Sequence, residues 1–240
     1  MRLVSLILFF FWAGIGLADT TCPKVASVLI SNCASPLHVQ LIEPSELSKT
    51  KNYLVVTGTY SSGDRLGVEG LAVMSGEVKS RRLQDWDGVL ILGNDGQPQM
   101  FNARRVEFAN ELFNIKDHDQ AFELLDLVAE HGASMMQSHL LISNGVLDLR
   151  QLVNAPVFYR RIFYVTHDGG FGVWQSPSRL TLYDAAVQLQ DELRPKMALN
   201  LDMGSYDFCR KANQECGRLT VSIDQLTNLL TFTNKASEGS

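Results

Sequence analysis

The first half of the chain is built from short apolar runs separated by glycine, asparagine and aspartate. Residues 25–30, 37–42, 53–56, 71–74, 89–92 and 99–101 have the length and composition of strands. Asn94-Asp95-Gly96 supplies a tight turn between the last two. The period then changes. Over residues 119–130 the positions Ala121, Phe122, Leu124, Leu125 and Val128 form the stripe of an amphipathic helix, which His131-Gly132 ends. Residues 137–142 and 159–167 return to strand-like runs, and Asp168-Gly169-Gly170 turns the second of them into a hairpin partner at 171–174. Leu182, Ala185, Ala186, Leu189 and Leu193 then fall at helical spacing behind Thr181, a fitting N-cap, and Pro195 stops that helix. Residues 197–201 form one more short apolar strand, and 221–232 read as a last helix. The sum is an α+β fold: a mixed or antiparallel sheet with hairpins, packed by two or three helices. No repeat or linker divides the chain, so one domain over residues 22–233 is expected, followed by a loose tail at 234–240.

Composition narrows the class. With 45% hydrophobic and 20% charged residues the chain has the makings of a globular core, which excludes disorder, collagen and coiled coil. The balance of 21 basic against 26 acidic residues argues against a nucleic-acid partner, which calls for a basic face. Met1-Arg2 followed by an uncharged apolar run to Ala18, with small residues at Gly16 and Ala18, reads as a secretory signal peptide over residues 1–18. The run is shorter than the ~20 residues a membrane span requires, although an uncleaved anchor is the alternative. Cleavage would remove Arg2 as the only charge and shift the net charge from -5 to -6. The product is expected in the periplasm or outside the cell, with no membrane partner once the peptide is gone.

That compartment gives the cysteines their meaning. Cys22, Cys33, Cys209 and Cys216 are an even set in an exported chain and read as two disulfides. Three connectivities are open. Local pairing, Cys22 with Cys33 and Cys209 with Cys216, is preferred, stapling the two ends of the domain at about 2–4 kcal/mol each. The five histidines lack HxH, HxxxH and HExxH spacing, so neither a metal nor another cofactor is expected. Walker, GxGxxG and GxSxG motifs are also missing.

Candidate chemistry gathers in two places. Asn200 and Asp202, two residues apart near the end of an apolar strand, point to one face. An amide beside a carboxylate suits a sugar hydroxyl or acid–base work, and equally suits an Asx turn in which Asp202 caps local backbone. Arg160-Arg161 opens another apolar strand, where alternation sends one arginine inward and the other to solvent. The inward one requires an anion, either Asp202 or a phosphate, or else forms a structural ion pair.

These segments, in order, resemble the phosphodiester glycosidase family over roughly residues 50–207. Gly70-Leu71-Ala72-Val73-Met74-Ser75-Gly76 is similar to its "GLxVxxG", and Gly88-Val89-Leu90-Ile91 through Asp95-Gly96 to its "GxLxIxxDG" hairpin. Met136-Gln137-Ser138 with Leu140-Leu141-Ile142-Ser143-Asn144-Gly145 resembles "VQSGPxLVxNG". Arg160 stands where the "RTAIG" arginine falls; Leu180-Thr181-Leu182-Tyr183-Asp184-Ala185-Ala186 resembles "GLTLYELA", and Ala198-Leu199-Asn200-Leu201-Asp202 resembles "ALNLDGGGS". Three departures stand out. The glycine run becomes Met203-Gly204-Ser205-Tyr206, an early asparagine becomes Thr57 in Thr57-Gly58-Thr59-Tyr60, and Arg161 replaces a small residue.

The resemblance implies hydrolysis of a sugar 1-phosphodiester of the N-acetylhexosamine type, in an envelope glycan or glycolipid. Arg160 would hold the phosphate and Asp202 would serve as acid, base or nucleophile. Asn200 would orient the sugar or the carboxylate, while Thr57, Gly204, Ser205 and Tyr206 would line the substrate site. Glu69, Glu77 and Asp168 are the candidates for a second carboxylate. The implied partner is a carbohydrate or sugar-phosphate ligand. The departures also fit a catalytically inactive glycan-binding module, and nothing in the sequence sets the oligomeric state.

Overall fold

The computed structural model describes residues 22, 25–33, 35–49, 53–62 and 67–234. The expected signal peptide and residues 235–240 of the expected tail lie outside them. Three sheets share one hydrophobic core. The first runs in the order Val28–Ser31, Phe171–Gln175, Arg161–Val165, Met197–Asn200, Leu140–Ser143, Val146–Leu147. The second runs Glu77–Arg81, Leu71–Met74, Ser134–Ser138, Gly88–Leu92, Pro98–Asn102. The third runs Gln214–Glu215, Cys209–Lys211, Leu54–Thr57, Leu229–Asn234, Leu37–Ile42. All pairings among the described strands are antiparallel, which narrows the expected mixed or antiparallel sheet to antiparallel ladders.

Strand alternation explains why these segments read as continuous apolar runs. In the second sheet Ala72, Met74, Leu90 and Leu92 point into the shared core, where they meet Leu54, Val56, Phe163, Leu199 and Phe232. Their neighbours Leu71, Val73, Val89 and Ile91 point the other way, onto helix α1 (His118–Glu130) through Ala121, Leu124, Leu125 and Val128. The first sheet does the same: Phe163 and Leu199 face the core, while Ile162, Tyr164 and Ala198 meet Ala185, Ala186 and Leu189 of helix α2 (Leu182–Leu193). Both faces of the central strands of these two sheets are covered, so their apolar residues run on without alternation. Asp117 caps α1 by accepting from the backbone N–H groups of Asp119 and Gln120, each at 3.1 Å. Thr181 caps α2 by accepting from the N–H of Asp184 at 3.0 Å.

Ser134–Ser138 and Leu140–Ser143 carry the chain from the second sheet to the first, with His139 at the corner. Gly88 makes that crossing possible. A Cβ there would lie 2.0 Å from Leu199 Cδ2 and 2.8 Å from the Ser138 carbonyl.

The expected last helix is replaced by a 3₁₀ turn at Ile223–Gln225 and the strand Leu229–Asn234. That strand is hydrogen-bonded on both edges, by Leu37–Ile42 and Leu54–Thr57, and its residues 229–232 are buried. The spacing of Leu226, Leu229 and Leu230 imitates a helix, but a strand with both faces and both edges covered satisfies the same apolar set. Asn234 pairs with Leu37, so the sheet takes the first residue of the expected tail. The cysteines pair locally: Cys22–Cys33 with Cα atoms 5.6 Å apart and Cys209–Cys216 at 4.8 Å.

Candidate functional site

Polar and aromatic side chains collect where strands of the three sheets end. Asp202 leaves the strand Met197–Asn200 and is 5% exposed. Its backbone N–H donates to the Gly58 carbonyl at 2.8 Å, tying the first sheet to the loop after Leu54–Thr57. Its carboxylate accepts from two backbone N–H groups, Ser61 at 3.1 Å and Met203 at 2.8 Å. The second bond is the local capping that an Asx turn predicts; the first is long-range. Among the described residues no cation pairs with this carboxylate. Burial therefore dominates and pushes its pKa from 3.8 to about 7, against the pull of the two N–H donors and with a smaller push from Asp207.

Asn200 is also buried, and its amide Nδ2 donates to the Tyr60 hydroxyl and, at 2.9 Å, to the Leu201 carbonyl. Tyr60 is held by a clamp. Asn228 accepts from the Thr59 N–H at 2.8 Å and donates to the Thr59 carbonyl at 2.9 Å. Gly58 permits that approach, since a Cβ there would sit 2.2 Å from Asn228 Oδ1. Burial, and then the charge of Asp202, hold the Tyr60 hydroxyl protonated well above the usual range, while Asn200 and the charge of Arg160 pull the other way. Tyr60 thus feels both candidate catalytic charges.

Tyr60 packs against Trp86 with ring centroids 4.9 Å apart, and His139 closes the trio at 5.6 Å from Tyr60 and 5.1 Å from Trp86. Gln137, fully buried, fixes Trp86: its Nε2 donates to the carbonyls of Gln84 at 2.7 Å and Trp86 at 3.0 Å. Burial, with help from Arg160, lowers the His139 pKa and keeps its ring neutral.

The arginine pair departs from simple alternation, because neither residue faces solvent: Arg160 is 8% and Arg161 0% exposed. Arg161 takes a carboxylate, but it is Asp207 at 2.8 Å, not Asp202, and it also donates to Gln175 Oε1 and the Phe208 carbonyl. Asp207 Oδ1 is close to Arg161 without an aligned N–H, so the contact is an ion pair by distance. Among the described residues Arg160 has no carboxylate partner. Its guanidinium donates to the carbonyls of Leu180 and Pro156, each at 3.0 Å, and stacks 5.2 Å over the Phe158 ring. It looks into a cavity of about 300 Å³ shared with His139, Leu149, Leu152, Pro156 and Tyr183.

The remaining expected residues divide. Gly204 and Ser205 line a second cavity, beyond Phe158. Gly204 sits at φ 79°, where glycine is favoured, whereas Met203 is in extended backbone that any residue adopts. The retained glycine is therefore the one whose conformation needs it. Thr57 is buried and its hydroxyl is committed to backbone: it donates to the Tyr206 carbonyl and accepts from the Phe208 N–H at 3.0 Å. It stitches two segments and leaves no group for a substrate. Tyr206 packs with Ile42, Val55 and Leu229 in a separate apolar cluster. Glu69 bonds Gln84 and pairs with Arg82 at 3.5 Å, Glu77 pairs with Lys79 at 2.7 Å, and Asp168 bonds Thr166 in its turn. Tyr60, Trp86 and His139 join the site without having been singled out. Their only signal was the aromatic after Thr57-Gly58-Thr59 and the MQSH run before Leu140.

Among the described residues no three His, Cys, Asp or Glu side chains are grouped to hold a metal ion, and no helix is long and apolar enough to cross a membrane.

With three antiparallel sheets about one core and helices on two outer faces, the chain has a fold already seen in solved structures. The catalytic domain of zebrafish N-acetylglucosamine-1-phosphodiester alpha-N-acetylglucosaminidase, auto-inhibited by its pro-peptide, superposes with a TM-score of 0.57 at 13% identity, covering 82% of this chain and 73% of that one. A hypothetical protein from Synechocystis gives 0.53 at 11% identity, covering 83% and 57%. At such identities the likeness is one of fold. No family model matches the sequence, and no curated protein matches it.

Proposed function

We propose that the chain is an exported phosphodiester glycosidase that cleaves a sugar 1-phosphodiester of the N-acetylhexosamine type. The observation that carries this reading is a buried carboxyl with a pKa of about 7 that has no cation on it among the described residues, and whose charge acts on the Tyr60 hydroxyl together with that of Arg160. The likeness in fold to an enzyme that acts on such a bond supports it. Two disulfides and the apolar amino-terminal run support export.

In this reading the C1–oxygen bond to phosphate breaks and water supplies the new oxygen at C1. A phosphate monoester leaves readily as an anion, so Arg160 stabilises the departing charge and no acid has to protonate it. This removes the need for the second carboxylate that ordinary glycoside hydrolysis uses. Asp202, ionised in a large fraction of molecules near neutral pH, takes the proton from the attacking water. His139, which packs against Tyr60 and Trp86 and lines the cavity at Arg160, is neutral and adds no competing charge there.

A second reading, a glycan-binding module without activity, is favoured by one observation: the Met203 N–H is already committed to Asp202 and cannot cradle a phosphate. Incubating the protein with UDP-N-acetylglucosamine and measuring free N-acetylglucosamine separates the two. Asp202→Ala is expected to lower release by about 10²–10⁴-fold. Equal, background release from the natural protein and the variant would refute hydrolysis of this substrate.

A further inference from the structure

The second cavity, of about 320 Å³, lies beyond Phe158 and is lined by Tyr159, Arg179, Gly204, Ser205, Arg218 and Thr220, among others. It has a charge that the rest of the molecule does not share. The chain is acidic overall, at -5, yet two arginines line this cavity. Its acidic side chain, Asp207, is already matched by Arg161 at 2.8 Å. The two cations are left facing open space.

Arg218 is fixed from both ends. Its backbone N–H donates to the Asp207 carbonyl at 2.9 Å and to Asp207 Oδ2 at 3.1 Å, and its guanidinium lies 4.2 Å over the Tyr159 ring. Stacking holds the plane of the guanidinium while leaving its edge N–H groups free to donate. Next to it, the Thr220 N–H and hydroxyl both donate to the Ser205 carbonyl, at 3.2 and 3.4 Å, so the 218–220 segment is pinned along the Gly204–Tyr206 turn. The floor at Gly204 is open: a Cβ there would meet nothing within 4 Å. Arg160 does not contribute, since its guanidinium faces the other cavity.

We infer that this cavity is an anion-binding site for a tetrahedral oxyanion, a phosphate or sulfate ester borne by the ligand, held by Arg179 and Arg218 with the Ser205 hydroxyl. Guanidinium forks donate in pairs to adjacent oxygens, and a tetrahedral group presents such pairs in several directions where a carboxylate presents one. Gly204 follows Asp202 by two residues, so the cavity adjoins the candidate carboxylate along the chain. The site exists whether or not the chain cuts a glycosidic bond, because binding here uses none of the residues given catalytic roles.

The test is a titration of the full chain with inorganic phosphate at constant ionic strength, following the arginine Nε–Hε signals by NMR. Saturable shifts of Arg179 and Arg218 are expected. Arg218→Gln and Arg179→Gln should each weaken phosphate binding about tenfold, the loss of one charge-assisted contact. Arg160→Gln should leave the Arg218 titration within about twofold, as should Arg104→Gln, an exposed arginine outside the cavity. Sulfate should bind comparably and acetate markedly less. Absence of saturation, equal weakening by Arg104→Gln, dependence on Arg160, or acetate binding as tightly as phosphate would each overturn the assignment.

Discussion

The Asp202 carboxyl makes a quantitative prediction about stability. In the native state its pKa is about 7 and in the unfolded chain it returns to 3.8, because the dominant cause is burial. Between those values the native state holds a proton that the unfolded state has released. The native state is then the one that binds more protons, so stability falls as pH rises, by up to about 1.4 kcal/mol per pH unit. Below the unfolded value both states are protonated, and above the native value both are ionised, so the effect is flat outside the window. Across roughly pH 4 to 7 the loss sums to about 4 kcal/mol. Asp202→Asn cannot titrate. It also leaves one of the N–H groups of Ser61 and Met203 without an acceptor, a pH-independent cost of about 1–3 kcal/mol. The assay is urea unfolding of both proteins at half-unit steps from pH 4 to 8, with the disulfides intact. The variant should be less stable at pH 4 and gain on the natural protein by about 4 kcal/mol by pH 7.5. A difference that stays constant with pH would show that the carboxyl is not desolvated. A difference of the opposite slope would mean that a cation, such as Arg160, pairs with Asp202.

Other outcomes follow from the same geometry. Arg161→Met strands Asp207 as a buried charge and should cost about 3–5 kcal/mol of unfolding free energy, while Arg161→Met with Asp207→Leu should recover most of it. Equal losses in the single and double variants would show that the ion pair is not the source. Gly88→Ala places a methyl 2.8 Å from the Ser138 carbonyl at the corner between two sheets, and should lower stability by about 1–3 kcal/mol; an unchanged melting temperature would contradict the close crossing. Replacing Cys209 and Cys216 together by serine opens a short loop and should cost about 2–3 kcal/mol, read by thermal unfolding against the oxidised natural protein; equal melting temperatures would show that this bridge does not stabilise the fold.

Much of the fold was legible along the chain because its strongest signals are local. The strands Leu37–Ile42 and Leu71–Met74 coincide with their apolar runs, both helices carry the expected stripe, and Thr181 caps the second. The elements that escaped notice, such as Glu77–Arg81, Val106–Phe108 and Cys209–Lys211, are short and carry polar or exposed positions, so they leave no apolar run. The strand Leu229–Asn234 was mistaken for a helix because its partners lie about 190 residues away, at Leu37–Ile42, and no local pattern reports them.

The site divides along the same line. Sequence alone marked Asp202, Asn200 and Arg160, since a carboxylate, an amide and an arginine in apolar strands must have a reason to be buried. It also marked the four cysteines as two local disulfides, which are consistent with an extracytoplasmic protein. Which arginine is neutralised was a tertiary decision: Asp207 reaches Arg161 and leaves Arg160 facing a cavity. So was the fate of Thr57, whose hydroxyl closes on the backbone of Tyr206 and Phe208. Tyr60, Trp86 and His139 are distant in sequence and adjacent in space, and their meeting depends on the Asn228 clamp and the Gln137 bonds. Hydrophobic periodicity is written within a few residues, so sequence determines the elements whose apolar signal is local, such as both helices and the central strands. The charge state and the partner of a buried polar group depend on which strands end together, and only the assembled sheets decide that.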